Sequence, residues 1–493
     1  MSNVAVLLTR SPRTYFPLLM LSILTWSLTM QAQVQLTGIS RDQFSNSSSQ
    51  HGTEVEPATF AFGDTIVSVF QEGRFVNDGG ATDNGFATSL DGGATWQYGA
   101  LPGLTAWHGG IYERVSDPSI TYDAAHGVWL AASLPVSSTG VRLTAMLVNS
   151  STDGINWSNP VAVSPKLSKP DKTWLNCDNN ATSPFYGHCY AEWDNNGDVD
   201  AIYLAVSTDG GKTWGAPVQP AGAPIGLGLQ PLAQSNGTVI APGVDAFLAN
   251  IIAVSSTDGG TTWSSQTTVS SVTYHAAGGS LRDLVLPSSA VDASGTVYVV
   301  WQDCRFRTNC TANDLVMSTS TDGTTWSAVQ RIPIDEVTSS RDHFIPGLAI
   351  EPGTSGSIAH LGLTFYYYPQ TNCTTSTCQL EEGYISSSDG GTTWTAPTKL
   401  AGPMQLGWLA NTNQGFMVGD YESLAFVGGK AHPVLAVAKN TATVFDEVMA
   451  TTASGLEDGL ALYTSEGEKP VPNAHSDHLP RTTPVCDNCD ERE

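Results

Sequence analysis

Acidic residues recur in this sequence at the points where apolar strands are predicted to begin. Two of these points are near copies of each other, Arg282-Asp283 in the segment RDLVLP and Arg341-Asp342 in the segment RDHFIP. Converging carboxylates can act as general acid and base in glycoside cleavage, can bind a hard cation, or can cap backbone N–H groups. The residues alone leave these three alternatives open.

Further charged residues stand at related positions. Asp117 precedes a proline and Asp171 precedes a lysine, each at the predicted start of a strand. Arg74 in FQEGRF and Arg305 in WQDCRF follow an acid at one matching loop position. Guanidinium groups bind carboxylates through two parallel hydrogen bonds, so these loops are candidates for recognising an acidic ligand.

The overall composition limits the partners. The 493 residues include 21 Lys and Arg against 46 Asp and Glu, a formal net charge of −25. Such a surface repels phosphate backbones and anionic lipid headgroups, so nucleic-acid and membrane binding are not expected. Neutral glycans, cations and basic partners are compatible with it. Hydrophobic residues make up 41% of the chain, which is enough to fill a core.

One acidic segment alternates oxygen-bearing side chains as calcium loops do, at Asp194, Asn196 and Asp198. It lacks the glycine and the late glutamate of an EF-hand, so that motif is not met. A structural calcium site is one interpretation, and a solvated acidic loop is the other.

The N-terminus is typical of an export signal. Arg10 and Arg13 precede a short apolar run from Pro17 to Met30, and Ala32 offers a small residue for cleavage. We therefore predict a signal peptide over residues 1–33 and a secreted, extracellular protein, periplasmic where the host has an outer membrane. An uncleaved signal anchor is the alternative. No other stretch approaches 18 apolar residues, so no membrane association is expected after cleavage.

The eight cysteines form four close pairs, and export favours disulfides over metal thiolates. The pairs are Cys177/Cys189, Cys304/Cys310, Cys373/Cys378 and Cys486/Cys489. The last pair also follows two histidines in an H-x2-H-x7-C-x2-C string, for which zinc binding is the alternative.

One short element occurs six times, which is the strongest signal in the sequence. Its form is S-x-D-x-G-x-T-W, or one residue shorter, and its aspartates are Asp91, Asp153, Asp209, Asp258, Asp322 and Asp389. The mean spacing is about 60 residues, and such a period is typical of repeat folds. Ser and Asp oxygens accept backbone N–H bonds in a tight turn, glycines permit positive φ, and the tryptophan packs against the strands.

Each repeat also holds an apolar strand, a glycine-containing turn and another apolar strand, so four strands fit each unit. We predict an all-β fold, a single β-propeller of seven four-stranded blades, with six as the alternative. The predicted propeller covers residues 54–463. Residues 34–53 precede it, and 464–493 form a disordered acidic tail. Val34–Ile39 or Leu460–Thr464 is expected to close the ring.

The repeated element resembles the Asp-box, or bacterial neuraminidase repeat, of the sialidase superfamily, over roughly residues 50–455. The resemblance implies a propeller in which the boxes are structural and the ligand pocket lies on the opposite face. The same boxes occur in sialidases, other glycan hydrolases and binding proteins, so fold does not fix function.

A sialidase site would need an arginine clamp, a tyrosine nucleophile and an aspartate acid/base. By this resemblance Arg282 and Arg341 supply two clamp arginines and Arg74 or Arg114 the third. Tyr421 is the candidate nucleophile. Asp117 is the candidate acid/base, and Asp283 and Asp342 are further candidate catalytic acids. The family's early Arg-Ile-Pro motif occurs in this sequence only at residues 331–333, well after the fifth box.

Two hypotheses for function follow. One is a secreted glycosidase that acts on extracellular glycans through acids and arginines at the channel mouth, with no required cofactor. The other is a non-catalytic propeller that binds a glycan or a protein. Both predict a monomer whose partner is an extracellular glycan or glycoprotein.

Overall fold

Short antiparallel strands joined by tight turns make up almost all of the regular structure. The computed structural model describes Met1 and residues 34–136, 146–164, 169–441, 444–457 and 461–464. The predicted signal peptide, apart from Met1, and the predicted tail after Thr464 lie outside the described residues, as do Cys486 and Cys489. The described residues from Val34 onward belong to one compact unit.

Strands occur in every part of the described chain. The first part of the chain contains β1 (Leu36–Gly38), β2 (Glu54–Phe62), β3 (Thr65–Arg74), β4 (Ala81–Ser89), β5 (Gln97–Ala100), β6 (Arg114–Asp123), β7 (Val128–Val136), β8 (Leu147–Ser151), β9 (Val161–Ala162), β10 (Pro170–Cys177), β11 (Cys189–Asn195) and β12 (Ala201–Ser207). The middle part contains β13 (Gly226–Leu227), β14 (Leu232–Ala233), β15 (Val239–Asp245), β16 (Asn250–Ser256), β17 (Thr267–Ser271), β18 (Ser288–Val291), β19 (Val297–Asp303), β20 (Asp314–Ser320) and β21 (Gln330–Arg331). The last part contains β22 (Asp342–Ile350), β23 (Leu361–Tyr368), β24 (Gln379–Ser387), β25 (Thr393–Thr395), β26 (Thr398–Gln405), β27 (Ala410–Thr412), β28 (Gly415–Met417), β29 (Ser423–Val427), β30 (Lys430–Ala438), β31 (Glu447–Thr452) and β32 (Ala461–Thr464).

Helical structure in the described residues is confined to single 3₁₀ turns. These are Ala106–His108, Asn196–Asp198, Gly278–Ser280, Thr308–Cys310, Gly356–Ile358 and Leu406–Trp408. None of the helices in this part of the chain is long and apolar enough to cross a membrane.

The strands form successive antiparallel meanders. The sheets are β10-β11-β12, β13-β15-β16-β17 with β14 also on β15, β18-β19-β20-β21, and β22-β23-β24-β26. The groups β2–β5 and β6–β9 count as one sheet because a single residue pair, Ala81 with Val115, links β4 to β6. The small pairs are β25-β32 and β27-β28.

The first strands of these meanders lie side by side in a cyclic order. β2 contacts β6 and β29, β6 contacts β10, β29 contacts β22, β22 contacts β18, and β18 contacts β14. The cycle closes between β10 and the residues just before β14, where Nδ2 of Asn176 donates to the carbonyl of Pro231 at 2.9 Å. Sheets packed face to face around such a ring bury both of their faces. β19, with the sequence VYVVWQD, is accordingly buried along its whole length. The arrangement is an all-β propeller.

The N-terminal strand closes the sheet formed by the end of the chain. β1 pairs with β31, with Leu36 opposite Thr452, and the sheet order is β1-β31-β30-β29. This pairing covers an edge that would otherwise expose unpaired backbone groups. The other candidate for closure, β32, pairs with β25 instead.

Each Asp-box connects the third strand of a meander to the segment that follows it, and it is held by its own side chains. In the fourth box, Ser256 Oγ accepts the N–H of Gly260 at 2.9 Å and donates to Asp258 at 2.9 Å. Asp258 accepts the N–H and hydroxyl of Thr262 at 2.9 and 2.7 Å. In the first box the equivalent bonds from Thr95 lower the pKa of Asp91 to about 2. The boxes are therefore structural, as the sequence predicts.

Three of the predicted disulfides lie within the described residues. Cys177–Cys189 joins the end of β10 to the start of β11, while Cys304–Cys310 and Cys373–Cys378 each close a loop between the second and third strands of a sheet. Such short covalent loops restrict the conformations of the unfolded chain. The prediction of these three pairs is confirmed.

Several carboxyl groups are buried in the propeller. Burial raises the pKa of Glu54 and of Glu422 to about 8, and that of Asp83 to about 7. A carboxyl with a raised pKa binds its proton more tightly in the folded state than in the unfolded chain. Each of these groups thus makes folding less favourable as the pH rises from its unfolded pKa to its folded pKa.

We expect the protein to unfold less readily at pH 5 than at pH 8.5, with the free energy of unfolding lower by at least about 1 kcal/mol at the higher pH. Urea unfolding across this range measures the effect. Glu422→Gln should flatten the slope, since it removes one of the titrating groups. A free energy of unfolding that rises from pH 5 to 8.5 would contradict the assignment of buried neutral carboxyls.

A second expectation concerns the Asp-boxes. Ser256→Ala removes the acceptor of the buried Gly260 N–H, so the free energy of unfolding should fall by about 1–3 kcal/mol. Thr257→Ala, at an exposed position of the same box, is the control and should change it by less than about 0.5 kcal/mol. Equal effects of the two changes in urea unfolding would show that the serine does not hold the turn.

Candidate functional site

A backbone irregularity recurs at or within a few residues of three predicted strand-entry acids, Asp117, Asp171 and Asp342. The first strand of several meanders has a register shift, and the residue in it has a positive φ: Glu56 at 58°, Asp117 at 43°, Lys172 at 45° and Ile345 at 51°. Bulges of this kind bend a strand and redirect its side chains. The bulges bring charged side chains from different sheets into contact.

The tightest contacts centre on Asp420, which is fully buried. Arg282 donates to both of its carboxylate oxygens, with Nε at 2.5 Å from Oδ1, and the Lys172 ammonium lies 2.8 Å from Oδ2. Arg282 also donates to Gln414, and its backbone N–H donates to Phe416 at 2.8 Å. A cation from β10 and a cation from the connection before β18 thus meet one carboxylate.

Further acids surround these cations. Asp117 accepts the N–H of Lys172 at 2.8 Å, and Asp171 lies 3.8 Å from the Lys172 ammonium. Glu56 accepts hydrogen bonds from the Gln71 amide and from the N–H of Asp420. We call this set the axial cluster; its charged members are Glu56, Arg74, Asp117, Asp171, Lys172, Arg282 and Asp420.

The opposite charges of the axial cluster offset the cost of burying them. Burial lowers the pKa of Lys172, but the charges of Asp117, Asp171 and Asp420 outweigh it and raise that pKa well above its usual value. Burial raises the pKa of Glu56 to about 7, and Asp117 and Asp420 add to this shift. Burial would also raise the pKa of Asp420, but Arg282 and Lys172 outweigh it and lower that pKa.

Tyr421 belongs to the same region but is not activated. Its hydroxyl donates to the carbonyl of Pro118 at 3.1 Å, and only 7% of the residue is exposed. Burial raises the pKa of Tyr421 well above 10, and the neighbouring carboxylates raise it further. The structure therefore brings together the predicted Asp117, Tyr421, Arg74, Arg282 and Asp171, in an arrangement with little access for a ligand.

A second cluster contains the other two predicted catalytic acids. Asp342 accepts the N–H of Asn313 at 2.7 Å, and its other oxygen lies 2.8 Å from Nδ1 of His275. Asn313 also accepts the N–H of His275 at 2.7 Å and donates to its carbonyl at 2.6 Å. Asp283 accepts the N–H of Ala277 at 2.9 Å. We call His275, Asp283 and Asp342 the loop cluster.

The loop cluster is more accessible than the axial cluster. The His275 side chain is 20% exposed, and Tyr274, the residue before it, is 37% exposed. Asp283 is partly exposed. Burial raises the pKa of Asp283 to about 7, and the charge of Asp342 contributes to the rise. The hydrogen bond from Asp342 raises the pKa of His275. Two groups with raised pKa values, Asp283 and His275, thus influence each other electrostatically.

The covalent loop at Cys373–Cys378 supports this region. The hydroxyl of Tyr368 donates to the carbonyl of Gly278 at 3.1 Å, and that of Thr375 donates to Gly279 at 2.9 Å. A Cβ at Gly279 would approach the sulfur of Cys378 to 2.6 Å, so this close contact requires glycine. The loop that carries His275 is held in place by its neighbour.

The other predicted arginines lie elsewhere. Arg305 pairs with Asp303, with Nη2 at 2.6 Å, and donates to the Ser271 carbonyl. Arg114 donates to the carbonyl of Asn77 at 2.5 Å and lies 3.8 Å over the Phe75 ring. Arg341 is exposed, unlike the buried Arg282. The described contacts thus place Arg341 and Arg282 in different surroundings, although their sequences match.

The predicted calcium residues differ in burial and in their partners. Asp198 is exposed and accepts the hydroxyl of Tyr203 at 3.0 Å, whereas Asp194 is fully buried near Asp171. Within the described residues, three potential ligand atoms come within 4.8 Å of one another only at Asp123 with the disulfide Cys177–Cys189 and at Asp314, Asp335 and His343. In the second group Asp314 and Asp335 already pair with buried arginines. Arg331, from the displaced Arg-Ile-Pro segment, is one of them.

His275 and Asn313 are functional candidates that the sequence patterns do not mark. His275 stands in a segment between two sheets, and no repeat or motif marks it. The only available signal was its position seven residues before Arg282-Asp283, next to Tyr274. Its role depends on contacts with Asn313, which lies just before β20, and with Asp342, which is the first residue of β22.

A comparison with protein-family models agrees with the repeats found in the sequence. A family model described as a BNR repeat-like domain matches residues 137–346. No curated protein matches the chain.

Solved structures that resemble the chain include three with low sequence identity. A protein of unknown function from Dyadobacter fermentans has 16% identity and a TM-score of 0.46, over 72% of this chain and 98% of that one. The NanB sialidase of Streptococcus pneumoniae has 14% identity and a TM-score of 0.41, over 85% and 71%. An ulvan lyase of polysaccharide lyase family PL25 has 11% identity and a TM-score of 0.47, over 86% and 96%. The match to a BNR repeat-like domain over residues 137–346 agrees with the six Asp-boxes of the sequence and with the all-β propeller described above.

Proposed function

We propose that this propeller is an exported glycoside hydrolase that acts on extracellular glycans through the loop cluster. The observation that carries the proposal is Asp283, a partly exposed residue whose carboxyl pKa is raised by burial to about 7, in the same cluster as the His275–Asp342 pair. Pairs of titratable groups with displaced pKa values are typical of acid–base catalysis.

The proposed roles follow from access and hydrogen bonding. Protonated Asp283 donates its proton to the leaving glycosidic oxygen, while neutral His275 accepts a proton from the attacking water. Asp342 is fully buried, so it is a positioning residue that orients His275 and stabilises the imidazolium that forms. The products are two sugars, and the two proton transfers balance. No cofactor is required, and calcium binding at Asp194 stays a prediction.

The axial cluster has a structural role in this proposal. Its acids are paired with Arg282, Lys172 and backbone N–H groups, and Tyr421 donates to a carbonyl. This replaces the sequence-based assignment of catalysis to Asp117 and Tyr421. The arginines that the sequence assigned to substrate binding are likewise given structural roles, with the exception of the exposed Arg341.

We also propose that the ring has seven four-stranded blades, with the β2–β5 and β6–β9 groups as separate blades and β1 completing the last. The single residue pair that joins these two groups supports the division. Three disulfides are compatible with an oxidising compartment, and we propose that the protein is secreted as a monomer.

The second candidate is a propeller that binds a glycan or a protein without turnover. It is favoured by the bond from the Ala277 N–H to Asp283, because an acid held by local backbone can have a purely structural role.

An activity assay separates the two candidates. Asp283→Asn should lower kcat on a responsive aryl glycoside by about 10²- to 10⁴-fold while the melting temperature stays unchanged. Wild-type activity should have a bell-shaped pH dependence near neutrality, and His275→Gln should remove one limb. Asp64→Asn, in the exposed turn between β2 and β3, is the matched control and should keep full activity.

Absence of turnover on a panel of neutral and sialylated aryl glycosides, with folding intact, would favour the binding protein. Unchanged kcat in Asp283→Asn would overturn the proposed roles even if the wild-type protein is an enzyme.

A further inference from the structure

A groove of about 740 Å³ lies beside the second Asp-box, away from the residues of both clusters. One wall is the N-terminal segment around Gln43 and Phe44, and the other is the 3₁₀ turn that carries Trp107. Phe86 and Trp157 line its interior, with ring centroids 5.9 Å apart. This volume is within the range of about 300–1,000 Å³ found for small-ligand sites.

The chemistry of the lining is unusual for this chain. None of the groove residues is Asp, Glu, Lys or Arg, although the protein carries 46 acidic residues. The polar groups are amides and hydroxyls such as those of Gln43, Ser45 and Asn156, and His108 is the one titratable member. Amides combined with aromatic faces suit a neutral ligand that has both hydroxyl groups and apolar C–H faces.

Trp107 is presented on a rigid support. It is 52% exposed, yet its loop is held by backbone bonds from Gly103 to His108 at 2.9 Å and from Ala106 to Tyr112 at 2.8 Å. The hydroxyl of Thr105 donates to the buried Asp83 at 2.8 Å. An exposed aromatic ring whose backbone is already ordered loses little conformational entropy when a ligand stacks on it.

The opposite wall is equally well fixed. The carboxylate of Asp42 accepts the N–H groups of Phe44 and Gly52, each at 2.9 Å, and also pairs with His51 at 2.8 Å. Asn46 accepts the hydroxyl of Thr82 at 3.1 Å, which ties the segment to β4. The N-terminal segment therefore closes the ring with β1 and then builds one side of the groove.

A close packing contact sets the depth of the groove. A Cβ at Gly99 would meet the Phe86 ring at 2.9 Å, so this position of β5 leaves space only for glycine. The aromatic floor depends on this absence of a side chain.

We propose that this groove is an accessory binding site for a neutral oligosaccharide, separate from the loop cluster. The sugar rings stack on Trp107 and the aromatic floor, while the Ser45 hydroxyl and the amide oxygen of Asn156, whose Nδ2 donates to Asp153, bind the hydroxyl groups. The site would hold a glycan chain near the protein whether or not the protein cleaves it.

Binding is tested by titrating the full-length mature protein with neutral hexasaccharides (cello-, xylo-, malto- and chito-oligomers), with sialyllactose and a proline-rich peptide as further probes. We expect at least one neutral oligomer to bind and to quench tryptophan fluorescence. Trp107→Ala should weaken that binding by about tenfold or more, whereas Phe247→Ala, which removes another exposed aromatic ring, should leave it unchanged.

Asp283→Asn should retain this binding, which makes the test independent of the proposed catalysis. The proposal is overturned if no neutral oligomer binds, if Trp107→Ala binds as well as the wild-type protein, or if only the peptide or sialyllactose binds in a Trp107-dependent way. Because Trp107 is exposed, its replacement is not expected to unfold the protein, and the melting temperature checks this.

Discussion

The charge pairing of Asp420 with Arg282 and Lys172 is the interaction on which the arrangement of the sheets depends. The three residues come from parts of the chain more than 100 positions apart, and all are almost fully buried. A buried carboxylate is unfavourable unless cations and hydrogen bonds compensate it, so the pairing holds the connections before β18 and β29 in one position relative to β10. The strand bulges at Glu56, Asp117 and Lys172 make this possible because they direct charged groups towards one another.

This constraint also separates structural from functional chemistry. In the proposed function the acids of the axial cluster hold the ring, whereas His275 and Asp283 of the loop cluster lie on connections between strands and are partly exposed. Rigid scaffolds commonly present reactive groups on their loops. The aromatic groove follows the same pattern on another part of the surface, since its walls are a connecting loop and the N-terminal segment.

Local patterns in the sequence predicted much of the fold. The Asp-boxes and the disulfides depend on residues within about a dozen positions of each other, so their geometry is contained in short segments. The near-identical segments at Arg282 and Arg341 show where such inference fails. Arg282 is buried because Gln414 and Asp420 lie against it, and nothing in its own segment indicates these partners. His275 was missed for the same reason, as its partners Asn313 and Asp342 are 38 and 67 positions away.

A double-mutant cycle between Arg282 and Asp420 tests the central claim most directly. The free energy of unfolding in urea would be measured for Arg282→Met, Asp420→Asn, the double variant and the wild-type protein. A buried, coupled pair predicts that the double variant is less destabilised than the sum of the single variants, by about 1–3 kcal/mol. Additive effects, within about 0.5 kcal/mol, would show that this pairing does not hold the ring.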